Sequence, residues 1–509
     1  MLSLFGLAGK HRHLALGLQG LTVLLYVALL CGSAATRKPW NDEAMSADAG
    51  YNLAFKGSDG VAFYDEREYG LIGANKHSYY IFPFQICVLA LWYRLLPFTL
   101  FSTRVLSMLW TGAMLVGLYH ALRRLLGDPA IAFLAIVLTA FNYQIMTAAS
   151  LGRYDSMVAA LGFCAYGVFL VMRCSNLPMA ILAANTLVAA AGATHPNGII
   201  YFIGLWFLIL YYDRGRIGWR EIGAAALPYA VGGVIWAAYI FQDFNSFYTQ
   251  FTRNSSGRIG LLHPWSTLML EFSLRIVPVF GLGAHSAGHD FAIVRLKAIA
   301  LIAIVFGILV CALTPSIRRK SEYRAFFYLL GIHWFLMTFS ETMKFSYYLV
   351  HLLPLLLAVL AIAVVHLWRI RKGIQWALAG GVAVLVFVEV GGIAARIRLN
   401  DYRNVYMPAV EYVRAHARTG DKVFTTCSFG FGYGFDNIID DDSLGYYSGK
   451  RPAFIVMEEI VDYQQELMKT NAPAKYHHAR EMLDSYKLVY HNSEYRVYQR
   501  PDLVGDGDV

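Results

Sequence analysis

Two acidic motifs end long apolar runs of this chain. Asp42 and Glu43 follow the first such run, and Arg153 and Asp155 lie directly after a later one. A carboxylate at a membrane surface can accept a proton from a nucleophile or help to bind a divalent cation. If the intervening runs return the chain to the same face, the two motifs indicate chemistry at one surface of a bilayer.

The composition indicates that most of the chain lies within a membrane. Apolar residues make up 57% of its 509 positions, charged residues make up 15%, and the mean hydropathy is +0.46. A helix needs about 20 mostly apolar residues to cross the hydrocarbon core, and about eleven runs of this length occur. The sequence therefore predicts a polytopic α-helical membrane protein with about eleven transmembrane helices.

The positive charge of the chain is explained by membrane insertion. The formal net charge is +9, but the Lys and Arg residues cluster at the ends of apolar runs, where insertion places them on the cytoplasmic side. Nucleic acid is therefore not expected as a partner. The six cysteines are scattered and form neither a CxxC metal motif nor a disulfide framework.

The basic clusters also predict the side of each connection. Clusters such as Arg123 and Arg124 fall at alternate breaks, so the breaks at Asp42 and Asp155 lie together on the outer face. This assignment requires that the apolar segment 79–96 is an interfacial helix and not a span. If it crossed the bilayer, Asp155 would lie opposite Asp42, so the shared outer face is the preferred interpretation.

Three outer regions are too long to be simple connections, namely residues 34–103, 243–290 and 396–509. Residues 1–395 are predicted to form a transmembrane catalytic domain that includes the first two of these loops. Residues 396–509 are predicted to form a small extracytoplasmic α/β domain.

Within this tail, strand-like runs flank a polar segment with helical spacing, 463–486, and a turn-rich stretch, 428–442, is interpreted as a loop. The predicted strands cover residues 422–426, 452–457, 487–491 and 495–498.

Several short motifs occur in a characteristic order along the membrane part. They are Asn41-Asp42-Glu43, Asn75-Lys76 ahead of an aromatic interfacial segment, Arg104, Arg153-Tyr154-Asp155, and the run from Lys344 through Tyr347, Tyr348 and His351 to Pro354. In this order and spacing the chain resembles the GT-C membrane glycosyltransferases, in particular the branch with protein O-mannosyltransferases and lipid A aminoarabinose transferases. The resemblance covers most of the membrane part and is much weaker in the tail.

The resemblance implies a GT-C fold and an inverting glycosyltransferase. Members of this family take a sugar from a polyprenyl-phosphate donor and work on the outer face of the bacterial membrane or in the endoplasmic reticulum lumen. For this chain we expect a multi-pass protein of the bacterial inner (cytoplasmic) membrane, with its active site and tail on the extracytoplasmic side. The acceptor, a lipid, a glycan or a protein, is not specified by the sequence.

The carboxylates would carry the catalysis. Asp42, with Glu43 beside it, would take a proton from the acceptor hydroxyl, and Asp155 would orient the acceptor, share an ion with Asp42 or act in its place. The plainer alternative is a helix cap at Asp42 and a surface pair of Arg153 with Asp155. Asp42 and Asp155 could also hold Mg²⁺ or Mn²⁺, although a phosphate leaving group can be neutralised by Lys and Arg alone, so no cofactor is required.

The remaining candidates would bind the donor and the substrate. Cations suit the phosphate because Lys offers a compact charge and Arg can bind two oxygens. The predicted phosphate-binding residues are Lys76, Lys344, Arg258, Arg275, Tyr347 and Tyr348, and the predicted substrate-binding residues are Arg153, His195 and His351. For each cation the alternative is a side chain that reaches the lipid head groups, and for the tyrosines it is the interfacial aromatic belt.

Two other functions fit a chain with this many predicted spans. A secondary transporter would usually carry ionisable groups near the bilayer midplane, and its long outer loops and soluble tail would have no purpose. A lipid-linked glycan ligase or oligosaccharyltransferase is the second alternative. An oligosaccharyltransferase would be expected to have a larger soluble domain and a second acidic metal motif.

Overall fold

The structure, a computed structural model, describes residues 12–256, 258, 263–282, 295–340 and 342–503. The predicted outer loop 243–290 and the tail 396–509 therefore lie partly outside the described residues. Packing divides the chain into two compact units. The helical unit contains Met1–Ser33, Ser107–Ala238 and Ser256–Ala395, and the mixed unit contains Ala34–Leu106, Tyr239–Ser255 and Arg396–Val509. The functional division at residue 396 stays a prediction.

The helical unit is built from long apolar helices. Seven helical stretches among the described residues of the chain are long and apolar enough to cross a membrane, and one bent pair would make an eighth. The predicted number of about eleven spans stays a prediction. The helices that lie wholly or mostly in this unit are Arg12–Thr36, Leu100–Leu126, Pro129–Ala140, Tyr143–Ala149, Asp155–Met172, Leu177–Thr194, Gly198–Asp213, Trp219–Ile240, Pro264–Leu270, Val277–Val279, Ala298–Leu313, Pro315–Arg318, Ser321–Phe339, Leu353–Ile370 and Gln375–Leu399.

The bent pair consists of the helices Pro129–Ala140 and Tyr143–Ala149, which meet at 65°. A break inside a membrane frees backbone N–H groups, which need acceptors because lipid offers none. The Asn142 side chain accepts from two N–H groups of the second helix, and Glu389 Oε2 accepts from Tyr143 N at 2.5 Å. The bend is thus stabilised by polar side chains that replace the missing helical hydrogen bonds.

One short segment of the helical unit brings several helices together. The 3₁₀ turn Ser346–His351 packs against both Tyr143–Ala149 and Asp155–Met172. Its residues Tyr348 and His351 are buried. The motif that starts at Lys344 therefore lies beside the start of the helix that carries Asp155.

In the mixed unit, the helix Asn41–Phe55 packs against the helix Pro83–Leu95. The approach is so close at Gly50 that an added Cβ would lie 2.6 Å from Leu89 Cβ. Pro83–Leu95 has 13 residues, fewer than the roughly 20 that a span needs. The other helices of this unit are Glu66–Tyr69, Phe244–Ser255, Met407–His416, Gly430–Tyr433, Glu459–Asn471 and Pro473–Asp484.

The mixed unit also contains the predicted small sheet. Its strands are β1 (Val423–Phe424), β2 (Ile438–Ile439), β3 (Phe454–Glu458), β4 (Lys487–His491) and β5 (Tyr495–Gln499). They are ordered β2-β1-β3-β5-β4, with β1 parallel to β2 and β3, and β5 antiparallel to β3 and β4. The sheet packs its apolar residues into a core shared with Phe63, Tyr406 and Val410. The prediction of a small α/β fold in the tail is confirmed.

Candidate active site

The centre of the helical unit's candidate site is the pair of Arg153 with Asp155. Asp155 begins the helix Asp155–Met172, where the partial positive charge of the helix N-terminus favours a carboxylate. Both residues are buried, and Arg153 Nε donates to Asp155 Oδ2 at 2.8 Å. Asp155 Oδ1 is buried and has no hydrogen-bond partner among the described residues. The pair is therefore an interior feature and not the surface pair of the plainer alternative.

Aromatic rings surround this pair. The Arg153 guanidinium lies 4.2 Å from the ring centre of Tyr347 and 5.2 Å from that of Tyr154. His195 stacks on Tyr154 with centroids 4.6 Å apart, and its ring lies 5.5 Å from Tyr348. Four residues predicted separately from three distant motifs are thus brought together around Asp155.

Two further predicted residues lie at the same place. Arg258, half-buried, interacts electrostatically with both His195 and Tyr154. His351 is fully buried, interacts electrostatically with Asp155, and its Nδ1 lies 2.9 Å from the Tyr201 hydroxyl. The site therefore combines a carboxylate, arginines and neutral hydrogen-bonding rings.

The predicted phosphate ligands Lys344 and Arg275 share one acidic partner, Glu271. Arg275 Nη1 lies 2.9 and 2.8 Å from the two carboxylate oxygens, and Lys344 Nζ lies 3.2 Å from Oε2. The exposed fractions of the three residues are 0% for Arg275, 1% for Lys344 and 2% for Glu271. The carboxylate therefore fixes the positions of two buried cations.

The backbone at this place is also unusual. Lys344 has a φ of +52°, in the left-handed region that costs a non-glycine residue roughly 1–2 kcal/mol. Its Nζ also donates to the Thr338 carbonyl. Glu271 and Arg275 lie in a π-helical turn, Glu271–Ile276, a feature that often occurs at functional sites. Sequence reasoning missed Glu271, although its spacing of four residues from Arg275 was an available signal.

Three predicted residues, Asp42, Glu43 and Lys76, belong to the mixed unit. Asp42 lies in the first turn of the helix Asn41–Phe55 and is half-buried. Lys76 is exposed and follows a turn in which Glu66 accepts from the backbone N–H groups of Gly73 and Asn75. Asp42 can therefore be reached by solvent, and Lys76 is held on a defined turn.

Glu43 is fully buried and paired with Arg104. Arg104 Nη2 donates to Oε1 at 2.5 Å and Nε donates to Oε2 at 3.1 Å, while Trp40 N donates to Oε1 at 2.9 Å. Arg104 donates as well to the carbonyl oxygens of Ala34, Arg37 and Lys38. These contacts favour a structural role for Glu43, which connects the segment 34–43 to Arg104 near the start of the helix Leu100–Leu126. Its catalytic role stays a prediction.

A second group of carboxylates, which sequence reasoning did not single out, is buried in the mixed unit. Asp440 accepts from the Tyr69 hydroxyl and from Cys427 N, each at 2.7 Å. Burial raises the pKa of Asp440 to about 6. Burial and the neighbouring charge of Asp440 raise the pKa of Asp442 to about 8. Glu68, nearby, accepts from Lys475 at 3.1 Å.

We expect the mixed unit to be more stable at about pH 5 than at about pH 8. A carboxyl whose pKa is raised by folding binds more protons when folded than when unfolded. Its contribution to the free energy of unfolding is therefore complete below the ordinary pKa of about 4. It is lost as the pH rises through about 6 for Asp440 and about 8 for Asp442. Thermal unfolding of the purified protein in detergent measures this, with each kcal/mol worth about 2–4 °C.

The matched variants are Asp442→Asn and Asp484→Asn. The first removes the carboxyl with the highest pKa and should flatten the upper part of the pH dependence. The second removes an exposed carboxyl of the same unit and should leave the pH dependence of Tm unchanged. A Tm that rises between about pH 5 and pH 8 would contradict the prediction.

Among the described residues, no group of three or more His, Cys, Asp or Glu side chains has a geometry suited to a metal ion. The predicted Mg²⁺ or Mn²⁺ site at Asp42 and Asp155 stays a prediction.

The chain is similar to known proteins in its structure. No protein-family model matches the sequence, and no curated protein matches it. Among solved structures, the chain is similar to ArnT from Cupriavidus metallidurans bound to undecaprenyl phosphate, with a TM-score of 0.57 and 14% identity over 96% of this chain and 99% of that one. It is also similar to the Archaeoglobus fulgidus oligosaccharyltransferase in its apo form, with a TM-score of 0.52 and 13% identity over 97% of this chain and 75% of that one.

At this level of identity the likeness defines the fold. The chain is a multi-helical membrane protein with a GT-C type fold and a small sheet near its C-terminus. The fold class predicted from the sequence is confirmed.

Proposed function

We propose that this protein is an inverting glycosyltransferase that moves a sugar from a polyprenyl-phosphate carrier to an acceptor hydroxyl. The GT-C fold supports this, as does the similarity to ArnT, whose structure was solved with undecaprenyl phosphate bound. The observation that carries the proposal is the buried set around Asp155, in which a carboxylate, arginines and polar aromatic rings converge. The reaction would take place at the outer face of a bacterial inner membrane.

The departing group requires positive charge. When the bond between the anomeric carbon and the phosphate oxygen breaks, the polyprenyl phosphate gains a negative charge that fixed cations can stabilise. Lys344 and Arg275 are held by Glu271 in one arrangement, so they would need little reorganisation as this charge develops. Arg258, half-buried beside His195, and the exposed Lys76 are further candidates for the phosphate.

The attacking group requires a base. In the proposed reaction the acceptor hydroxyl attacks the anomeric carbon from the face opposite the phosphate and gives its proton to Asp42. The new glycosidic bond then has the inverted configuration. Asp155, oriented by Arg153, would position one of the two reacting molecules. Tyr347, Tyr348 and His195 lie around the pair of Arg153 with Asp155.

Binding of the carrier lipid tests the proposal first. Native mass spectrometry of the purified protein with added undecaprenyl phosphate should show a bound lipid, whereas undecaprenol, which has the same chain without the phosphate, should bind much more weakly. Mass spectrometry of the lipid that co-purifies would then identify the sugar, and transfer of that sugar, labelled, would be measured in proteoliposomes. Equal binding of the two lipids, or no transfer to lipid, glycan or protein acceptors, would overturn the proposal.

Replacing Lys344 tests the phosphate site directly. Lys344→Ala should weaken undecaprenyl phosphate binding and raise the donor KM by roughly 10- to 100-fold, because a charge-assisted hydrogen bond in a buried place is lost. The turnover number should change less than the donor KM. Titration of the protein with undecaprenyl phosphate measures the affinity.

A second substitution separates binding from backbone strain. Lys344→Gly also removes the ammonium group, but glycine accepts a φ of +52° without strain. Both variants should lose affinity equally, while Lys344→Gly should be more stable than Lys344→Ala by about 1 kcal/mol. Unchanged affinity in both variants would exclude Lys344 as a phosphate ligand.

A further inference from the structure

Two histidines of the helical unit are held by tyrosine hydroxyls in one buried layer. His333 Nδ1 lies 2.8 Å from the His351 carbonyl oxygen, and its Nε2 lies 2.9 Å from the Tyr166 hydroxyl. His351 Nδ1 lies 2.9 Å from the Tyr201 hydroxyl. All four side chains are fully buried. The hydrogen-bond partners therefore determine which ring nitrogen of each histidine carries the proton.

The proton on His351 can be assigned from this layer. If Nδ1 donated to Tyr201, the buried Tyr201 O–H would have no acceptor, because His351 is its only hydrogen-bond partner among the described residues. The consistent arrangement has the Tyr201 hydroxyl donating to Nδ1. Burial disfavours the doubly protonated ring, so the single proton lies on Nε2. Tyr201 thereby sets the tautomer of His351.

The resulting Nε2–H group is a donor without an acceptor. His351 Nε2 is buried and has no hydrogen-bond partner within the described parts of the chain. An unpaired buried polar atom costs roughly the free energy of a whole hydrogen bond. The unpaired Nε2–H group therefore indicates that a bound molecule, which is not part of the chain, accepts its hydrogen bond.

An unpaired acceptor lies at the start of the helix that packs against this turn. Asp155 Oδ1 is buried and has no partner among the residues described, while Oδ2 is occupied by Arg153. The turn that carries His351 packs against the helix that begins with Asp155, and the two side chains interact electrostatically. The site thus offers one neutral donor and one anionic acceptor.

A hydroxyl is the group that satisfies both atoms. Its oxygen can accept from Nε2–H while its proton is donated to the carboxylate. A phosphate oxygen would have no proton to donate and would be repelled by Asp155. An amine would be a poorer match because a neighbouring carboxylate favours its protonated form, and an ammonium group has no lone pair to accept from Nε2–H.

We infer that His351 Nε2–H and Asp155 Oδ1 hold one sugar or acceptor hydroxyl between them, and that Tyr201 is a positioning residue that sets the His351 tautomer for this purpose. This inference rests on the proposed function for the identity of the ligand, but its tautomer can be tested independently of activity.

The position of Tyr201 is itself closely fitted. A Cβ added to Gly162 would lie 2.1 Å from ring atoms of Tyr201, so the ring fits only because residue 162 is glycine. The Tyr201 ring also lies edge-on to His351, with centroids 5.6 Å apart. The hydroxyl therefore has little freedom to leave Nδ1.

The tautomer is measured by nitrogen-15 NMR of the full-length protein labelled at histidine. The difference between the wild type and His351→Asn identifies the His351 signals, which should show an unprotonated Nδ1 and a protonated Nε2. In Tyr201→Phe both neutral tautomers of His351 should be populated and should interconvert. The matched control Tyr166→Phe removes a hydroxyl from the same layer that faces His333, and it should leave the His351 signals unchanged. A protonated Nδ1 in the wild type would overturn the inference.

The ligand is tested by kinetics in proteoliposomes with the same two variants. Tyr201→Phe should raise the KM of one substrate by roughly 3- to 10-fold. The reason is that the Nε2–H group, which donates to the substrate hydroxyl, is lost in the molecules that hold the other tautomer of His351. The substrate whose KM rises, donor or acceptor, is the source of the hydroxyl. Affinity for undecaprenyl phosphate alone, which carries neither sugar nor acceptor, should stay within about twofold of the wild-type value. The reason is that the hydrogen bond of His351 lies outside the site that binds this lipid.

The outcomes separate the two proposals. An active wild type with unchanged KM values in Tyr201→Phe would mean that a water molecule fills the place, which overturns the inference and leaves the proposed function standing. Equal losses in Tyr201→Phe and Tyr166→Phe would indicate a merely structural layer and would also overturn it. A wild type that neither binds undecaprenyl phosphate nor transfers sugar would overturn the proposed function, while the NMR result would still decide the tautomer.

Discussion

Replacing Asp42 by asparagine should reduce the rate of sugar transfer by about 10²- to 10⁴-fold, the usual contribution of a positioned general base. Asparagine keeps the size and the hydrogen-bonding reach of the side chain but cannot accept the proton of the acceptor hydroxyl. Asp42 lies in the first turn of its helix and is half-buried, so the change should cost little stability. Transfer of labelled sugar from polyprenyl phosphate in proteoliposomes measures the rate, and turnover rather than donor binding should fall.

The same helix provides a matched control. Asp48 lies six residues further along, is buried and accepts from Asn52 Nδ2 at 3.1 Å. Asp48→Asn removes a carboxylate from the same element without touching the predicted base, and it should retain turnover within a few-fold. Near-normal turnover in Asp42→Asn would exclude Asp42 as the base and would direct attention to Asp155.

Replacing Arg104 by methionine should destabilise the protein by about 3–5 kcal/mol, because it removes the guanidinium charge that compensates the buried carboxylate of Glu43. Both side chains are fully buried, and Arg104 also donates to three carbonyl oxygens that precede the helix Asn41–Phe55. This is the largest stability effect expected from any single substitution considered for the mixed unit. Unfolding in mixed detergent micelles, followed by fluorescence, measures the free energy change.

A double variant separates structure from catalysis at this pair. Glu43→Leu combined with Arg104→Met removes both charges and should recover much of the lost stability, since a buried ion pair can be replaced by apolar groups at little cost. If Glu43 is structural, this variant should also retain transfer activity per folded molecule. A stable double variant without activity would instead restore the catalytic role predicted for Glu43.

The tail shows how much of the fold was readable from the sequence. The strands β3, β4 and β5 lie where alternation and β-branched content predicted them, and β1 lies within its predicted run. The two-residue strand β2 was missed because it is very short, lies in a turn-rich stretch and forms by pairing with β1. The segment 463–486 was predicted to be helical, and it forms parts of two helices that separate just before Pro473, where proline begins the second one.

The candidate site was predictable only where its residues form local motifs. Arg153 and Asp155 are two positions apart, so their pairing was visible in the sequence. Glu271 was missed although Arg275 lies four residues away, and its second partner, Lys344, is distant along the chain. Tyr201 was missed because its partner, His351, is distant as well. A tyrosine in an apolar run is most simply interpreted as a packing residue, and only the fold shows that its hydroxyl reaches a histidine.

The bend between Pro129–Ala140 and Tyr143–Ala149 has a consequence for motion in the membrane. Glu389 of the helix Gln375–Leu399 accepts from Tyr143 N. This hydrogen bond fixes the position of that helix along its axis relative to the bend. Sliding that helix by one turn, about 5.4 Å, would strand both a carboxylate and an amide in hydrocarbon. These two helices are therefore expected to resist a shift past each other at this corner of the helical unit.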